Sequence, residues 1–375
     1  MKKQILISGA GFAGLTLAYW LNQLDPDQYA ITVVELSPNL RTGGSPIDVR
    51  GEALTLVKSM GLYEKIKAKE FIHDTEIVDA DDNTLVSFSI NQFDEYTGDI
   101  EINRSELMEI LYQCLDKQQI NILFNTSVQS ITERPHHVEV IFENGVKKNY
   151  DLLFGADGTH SITRSLVFGA EKDFSKFYGA YFAFASANNL PTQRAKDTGI
   201  IYKEVGKQAM LYQFKNQVNA VLMFSSPQLA WDHKDFQGQK KILQANFQGK
   251  QHWKIPEILN SMLAAEDLYF DELCQIHMPS WTKGRVALVG DAAYAPSFLT
   301  GMGTSIAMLG AKHIAEALHK NQGDHKSAFK EYEQGFRPFV ASIQDRITRG
   351  LKVQLPTTTE ALKASLDFIK QSAKQ

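Results

Sequence analysis

Apolar residues follow two textures along this chain. Near the N-terminus, "QILIS" is an unbroken apolar run, which predicts a strand buried on both faces. At Gly9 it passes into a helix whose apolar face runs through Leu15, Ala18, Tyr19 and Leu21. "AITVVEL" predicts a second strand, completing a strand–helix–strand unit of roughly thirty residues. "GEALTLVKSMGLYEKIKAK" reads as helix broken at Gly61, and "SELMEILYQCLDKQ" as helix with Ser105 at its N-cap. "INILFN", "HVEVIFENG" and "DLLFGAD" read as strands. From about Tyr178 to Met278 the pattern alternates and turns aromatic, as in "YGAYFAFASA", "QAMLYQF" and "AVLMFSS". That predicts an antiparallel sheet half buried on one face. The buried-strand texture returns near Arg285, and helices follow, the last being "TTTEALKASLDFIKQSA" after Pro356.

Composition narrows the class. The chain has 375 residues, 43% of them hydrophobic, enough for two domains or one large α/β unit. A net charge of −4 gives no general attraction to nucleic acid or anionic lipid. No apolar stretch reaches membrane-spanning length. Two cysteines, Cys114 and Cys274, without CxxC spacing argue against a disulfide framework or thiolate metal site, and fit a reducing cytoplasm. The N-terminal apolar run breaks into glycines too early for a secretory segment. We expect a cytoplasmic monomer that takes a small-molecule substrate and holds no metal.

Two glycine loops carry the candidate chemistry. "GAGFAG" places Gly9, Gly11 and Gly14 in a GxGxxG pattern at a strand-to-helix junction. Glycines there permit a tight turn and close backbone approach to a pyrophosphate, with the helix N-terminus facing the anion. Glu35, about 20 residues further on, ends the second strand where an acid bonds a ribose hydroxyl and disfavours a 2′-phosphate. The second loop, "GDAAYAPSFLTGMGTS", puts Asp291 at the end of a buried strand, where a carboxylate needs donors. Sugar or ribityl hydroxyls would supply them. Gly301 and Gly303 open the next helix, whose N-terminal dipole suits a ring that becomes anionic on reduction. The two loops would thus serve opposite ends of one long cofactor.

Three further segments read two ways. "DLLFGADGTHSITR", with Asp157, Gly158, Ser161 and Arg164, is either ligand-facing or a capped strand–helix junction. Arg104, before a helix, is either a phosphate ligand or a solvated cation. "RTGGSPIDVRG", with Asp48 between Arg41 and Arg50, either passes beside a flat ligand or is an ordinary surface loop. None of the ten histidines sits in a motif; His73, His160, His277 and His313 read as surface or core, and no catalytic acid or base is assigned.

Taken together and in order, the GxGxxG, the Arg before a helix, the Asp-Gly and the Gly-Asp segments resemble group A FAD-dependent monooxygenases, the fold of p-hydroxybenzoate hydroxylase. "RTGGSPIDVRGEALTLVKSMGLYEKI", "EINRSELMEIL" and "GMGTSIAMLGA" are most similar to the tetracycline-inactivating flavin monooxygenases. The resemblance implies an α/β fold with a Rossmann-like FAD-binding domain of residues 1–72, 99–177 and 279–335. A β-sheet substrate domain of residues 73–98 and 178–278 would interrupt it, and C-terminal helices over 336–375 would bridge or gate the two. It implies that Gly9, Gly11, Gly14 and Glu35 hold the ADP half of FAD and that Arg104 meets the pyrophosphate or ribityl region. Asp291 would bond the ribityl, Asp48 would lie beside the flavin, and Gly301 and Gly303 would donate to its pyrimidine edge. Arg41 matches an arginine implicated in NADPH. Tyr294, "APSFLTG" and Thr304-Ser305 depart from the family pattern, which has His, a double proline and a hydrophobe-Asn pair there, all expected beside the flavin.

The implied activity is an NADPH- and O2-consuming hydroxylation of an aromatic or enolic ring, most specifically of a tetracycline. NADPH would visit transiently, because no second GxGxxG is present. The rivals are a biosynthetic aromatic hydroxylase or flavin-dependent reductase on the same fold, and a non-catalytic nucleotide-binding scaffold.

Overall fold

In the computed structural model, residues 2–40, 46–71, 74–89, 98–190, 194, 197–214 and 217–373 are described. The apolar N-terminal run forms the strand Lys3–Ser8, the middle of a six-stranded sheet. Its order is Thr282–Lys283, Val286–Leu288, Leu152–Gly155, Lys3–Ser8, Tyr29–Val34, Ile120–Leu123. All neighbours pair in parallel except the two-residue edge strand. Ile5, Leu6 and Ile7 are fully buried, as a parallel strand covered on both faces requires.

Helices Phe12–Leu24 and Gly303–Lys320 pack against each other beside this sheet. Small residues allow their N-termini to converge. A Cβ on Gly290, at φ +67°, would stand 2.9 Å from the Ala13 Cβ and 3.4 Å from that of Ala307. Gly290 therefore brings the last strand's end against both helix starts.

The second lobe is a seven-stranded sheet ordered Tyr269–Ile276, Ser175–Ser186, Gln217–Ser225, Lys207–Phe214, Thr198–Glu204, Asp74–Val78, Thr84–Ser89. It is antiparallel, as its alternating pattern predicts, except that Thr198–Glu204 runs parallel to Asp74–Val78. One face, with Tyr181, Ala183, Leu211, Leu222 and Phe224, packs on two helices, Phe236–Phe247 and Ile255–Ala264, within the stretch expected to be sheet. The other face, with Phe182, Met223 and Met210, turns toward the C-terminal helices Ile347–Gln354 and Thr359–Ser372. The boundary expected at 336 falls inside one continuous helix, His325–Gln344. Among the described residues no helix is long and apolar enough to cross a membrane, and Cys114 and Cys274 are free.

Candidate functional site

The helix expected from Gly9 starts at Phe12, with Gly11 as N-cap, so the three glycines form a turn ahead of it. Gly9 has φ +106°; a Cβ on it would run into the Ala156 carbonyl, and one on Gly14 into the Gly9 carbonyl. These two close the turn against the sheet. At Gly11, by contrast, nothing lies within 4 Å of the Cβ position, so that side of the turn faces open space. Glu35 stands beside it. Its Oε2 accepts the Ala10 N–H at 2.9 Å and its Oε1 the Ser37 N–H at 3.0 Å. One backbone donor per oxygen fixes the carboxylate and leaves lone pairs for a diol.

Arg104 is the first residue of helix Arg104–Gln113, and the N-cap is Asn103 rather than Ser105. Asn103 Oδ1 accepts the Ser105 N–H at 2.9 Å and its hydroxyl at 2.6 Å. Asn and Ser cap equally well, so the neighbouring positions competed. The Arg104 guanidinium lies 4.8 Å over the Phe12 ring, which brings a cation to the start of the first helix.

Asp291 opens the short helical turn Asp291–Tyr294. Burial pushes its carboxyl up to about 6, with the Arg104 and Arg164 cations pulling down and Asp271 pushing further up. No donor among the described residues bonds it, although it is largely enclosed. Further along the same loop Ser297 sits at φ +71° with its buried Oγ lacking a partner among the described residues. A serine held there costs about 1–3 kcal/mol, which other contacts must offset.

Asp48 lies on the strand Pro46–Val49, paired to Ile100–Asn103. Its carboxylate meets Arg50 Nη2 at 3.0 Å, and Arg50 Nε reaches Asp99 at 3.2 Å. Burial raises Asp48 to about 6 against the pull of Arg50, with Glu101 and Asp99 adding to the rise. Arg50 also reaches the second loop: its Nη1 stands 2.6 Å from the Cβ position of Gly301, a left-handed residue at φ +64°. Gly303 begins helix Gly303–Lys320 behind it. Arg41 lies outside the described residues, as does His73.

Two of the departures do not sit where the resemblance implied. Tyr294 points into the core, 1% exposed, 4.7 Å from the Trp281 ring and 3.1 Å from the Tyr332 hydroxyl. Ser305 is fully buried and its Oγ accepts the Arg50 N–H at 3.0 Å, so it joins protein segments. The Asp-Gly segment turned out to be a capped junction. Asp157 accepts the Thr163 N–H at 2.8 Å and hydroxyls of Thr163 and Ser161. Arg164, fully buried, donates to the Ala292 carbonyl at 3.0 Å and to Glu171 at 2.8 Å, so it braces the Asp291 turn from behind.

The aromatic wall beside this loop has no motif in the sequence. Phe182 on the strand Ser175–Ser186 lies 4.5 Å from Phe298 of the Gly301 loop and 5.8 Å from Tyr269. Phe298 and Tyr269 keep 46% and 44% of their surface open, so large rings stay exposed where the second sheet meets the Gly301 loop. Tyr269 also shares electrostatic influence with Asp291 and Arg104. His160, read as surface or core, bridges Glu171 and Asp271 at 2.9 and 3.3 Å.

The residues fit a flavin dinucleotide. An open backbone turn at Gly11, a diol acceptor at Glu35 and a cation at Arg104 suit its adenosine and pyrophosphate. The Asp291 carboxylate, which no donor among the described residues bonds, and the partnerless buried Ser297 oxygen suit a polyol and ring edge. Residues 2–346 match the family model described as FAD binding domain. The chain belongs to this family, and it is an FAD-dependent monooxygenase. A flavin-dependent monooxygenase from an unknown prokaryotic organism is 36% identical over 350 residues, covering 91% of this chain and 87% of the relative. Among solved structures, the tetracycline destructase Tet(51) matches with TM-score 0.85 at 34% identity, covering 100% of this chain and 97% of its own. The tetracycline destructase Tet(55) matches with TM-score 0.84 at 33% identity, covering 100% and 96%. NADPH as electron donor is consistent with the family.

Proposed function

We propose that the protein hydroxylates a polycyclic phenolic or enolic substrate, a tetracycline foremost. The observation that carries this reading is the full-length likeness to Tet(51) at 34% identity. The aromatic wall of Phe182, Tyr269 and Phe298 supports it, because flat apolar faces suit a fused-ring substrate. FAD, when bound, supplies electron transfer from NADPH and activation of O2. The chain's residues bind and orient. Gly9, Gly11, Gly14 and Glu35 hold the adenosine half, Arg104 neutralises pyrophosphate charge, and Asp291 accepts from the ribityl. Asp48, with Arg50, shapes the ring site, and Gly301 and Gly303 point backbone donors at the ring. Arg41 takes part in NADPH docking. The cleft between the lobes positions the substrate and excludes water.

The test is NADPH consumption by the FAD-loaded protein with phenols, polyketides and tetracyclines, read by mass. A gain of one oxygen on a tetracycline supports the reading. A gain on simple phenols alone moves the protein to the aromatic hydroxylases. NADPH oxidation with substrate reduction and no oxygen uptake makes it a reductase.

A further inference from the structure

Tyr269, Asp271 and His160 form a chain of contacts that runs from the back of the FAD lobe to the cleft. Asp271 is 3% exposed at the edge strand Tyr269–Ile276. Its Oδ1 accepts the Glu272 N–H at 2.8 Å, and its Oδ2 accepts the Tyr269 O–H at 2.5 Å. His160 Nε2 stands 3.3 Å from the same Oδ2, and its Nδ1 stands 2.9 Å from Glu171 Oε1. An imidazole between two carboxylates holds a proton on each nitrogen. Burial opposes that charge, but Asp271 and Glu171 outweigh it and raise His160 to about 10. Arg164 anchors the far side of Glu171 at 2.8 Å. His233, stacked 4.5 Å from His160, has its own pKa lowered by burial and by the neighbouring charge.

The hydrogen-bond directions follow. A backbone N–H and a charged imidazole already point at Asp271, so the carboxylate is an acceptor throughout. The single phenol proton of Tyr269 is therefore committed to Asp271. Desolvation at the hydroxyl end, followed by the Asp271 charge, pushes the phenol pKa well above its usual value, so it stays neutral although 44% of the residue is open. What remains toward the cleft is the phenol oxygen as acceptor only. It stands beside Phe182, within the electrostatic reach of Asp291 and Arg104.

We propose that Tyr269 contacts the substrate and selects a ring bearing a free, acidic hydroxyl, with Asp271 and His160 as positioning residues that lock the phenol as an acceptor. This rests on the substrate reading above and narrows it: the enolic or phenolic O–H is the recognised group. A site that can only accept disfavours the matching methyl ether, which has no proton to give, by about tenfold.

The test titrates oxidised, FAD-loaded protein with 2-naphthol, 2-methoxynaphthalene and oxytetracycline, following the flavin absorbance without NADPH. Wild type should bind the naphthol about tenfold more tightly than its ether. Tyr269→Phe should keep FAD and fold, measured by flavin stoichiometry and Tm, and lose that preference. Asp271→Asn is the sharper probe. Paired with Asp271→Ala, which removes the acceptor of the Tyr269 O–H altogether, it frees the phenol proton for the cleft whichever way the Asn amide turns. The preference should then flatten or turn toward the ether, which a merely structural role would not produce. An unchanged preference in all of these variants overturns the proposal while the substrate reading stands. Binding of neither 2-naphthol nor oxytetracycline by wild type overturns both.

Discussion

The Ser305 hydroxyl accepts the Arg50 backbone N–H at 3.0 Å, joining residues from opposite ends of the chain at one buried atom. The same oxygen lies 3.4 Å from the Asp48 carbonyl. The Pro46–Val49 strand and the Gly303 helix are thus joined by side chain–backbone bonding. Ser305→Ala should strand the Arg50 N–H in the interior and cost about 1–3 kcal/mol. Urea unfolding would show it as a lower midpoint, together with faster FAD release. An unchanged midpoint would mean that the strand and helix are held elsewhere.

On the proposed ribityl contact, Asp291 should give FAD binding a pH dependence. Its folded pKa of about 6 lies above the unfolded 3.8, so the native apoprotein holds the proton more tightly than the unfolded chain. Apoprotein stability should therefore fall as pH rises from about 4 through 6, by about 3 kcal/mol. Ribityl hydroxyl donors at Asp291 would favour the ionised carboxylate, so FAD binding should expel the proton. The FAD Kd should tighten about tenfold between pH 5 and 7. Asp48 is also raised to about 6, so the variant is needed to assign the effect. Asp291→Asn should weaken binding and flatten the profile, measured by flavin fluorescence quenching. A profile of wild-type slope in the variant rules Asp291 out.

Lys203 works in the opposite sense. It is 8% exposed on the strand Thr198–Glu204, and its Nζ donates to the Val353 carbonyl at 2.9 Å. Burial lowers its pKa to about 8, below the unfolded 10.5. Between those values the unfolded chain binds more protons, so stability should rise with pH, by up to about 3 kcal/mol. Lys203→Met should remove that rise and be neutral or stabilising at pH 7, because Ser365 Oγ also donates to Val353 at 2.8 Å. Unfolding free energies at pH 7, 9 and 10 check it, and a flat wild-type series would show that Lys203 is better solvated than its burial implies.

The FAD lobe was legible where local chemistry and fold agree. Buried β runs, a glycine turn and an acid at the next strand's end are neighbours in sequence as well as in space. The helices Phe236–Phe247 and Ile255–Ala264 were legible too, but overlooked. Asp235 caps the first, and Ile255, Ile258, Leu259 and Met262 mark one buried helical face. The roles of His160, Ser305 and Tyr294 were not legible. Each depends on residues distant in sequence, Asp271, Arg50 and Tyr332, that only the tertiary fold brings near. A polar residue on a known loop does not reveal whether it faces a ligand or another segment, and here Ser305 and Tyr294 face the protein.

The C-terminal region was expected to bridge or gate the lobes, and its two helices divide that role unequally. Helix Thr359–Ser372 lays Leu366 and Ile369 on the sheet beside Ile77, Ile201 and Met210. Helix Ile347–Gln354 instead touches both the sheet and the Gly301 loop. Leu351 and the following Leu355 pack with Phe182, Met223 and Leu273 of the sheet and with Leu299 of the Gly301 loop. A Cβ on Gly350 would stand 2.7 Å from the Leu299 carbonyl, closer than such contacts permit. Gly350→Ala should therefore shift the Phe298–Thr300 turn, and with it the aromatic wall. The expected result is retained FAD, a several-fold higher substrate KM and more NADPH oxidised per product. Removing residues 357–375 should act on stability instead, because it uncovers the apolar patch around Ile77 and Ile201, at a cost of about 2–5 kcal/mol. Its surviving fraction should keep near-normal substrate kinetics. The opposite pattern, with the truncation changing KM and Gly350→Ala changing only Tm, would make the terminal helix the gate.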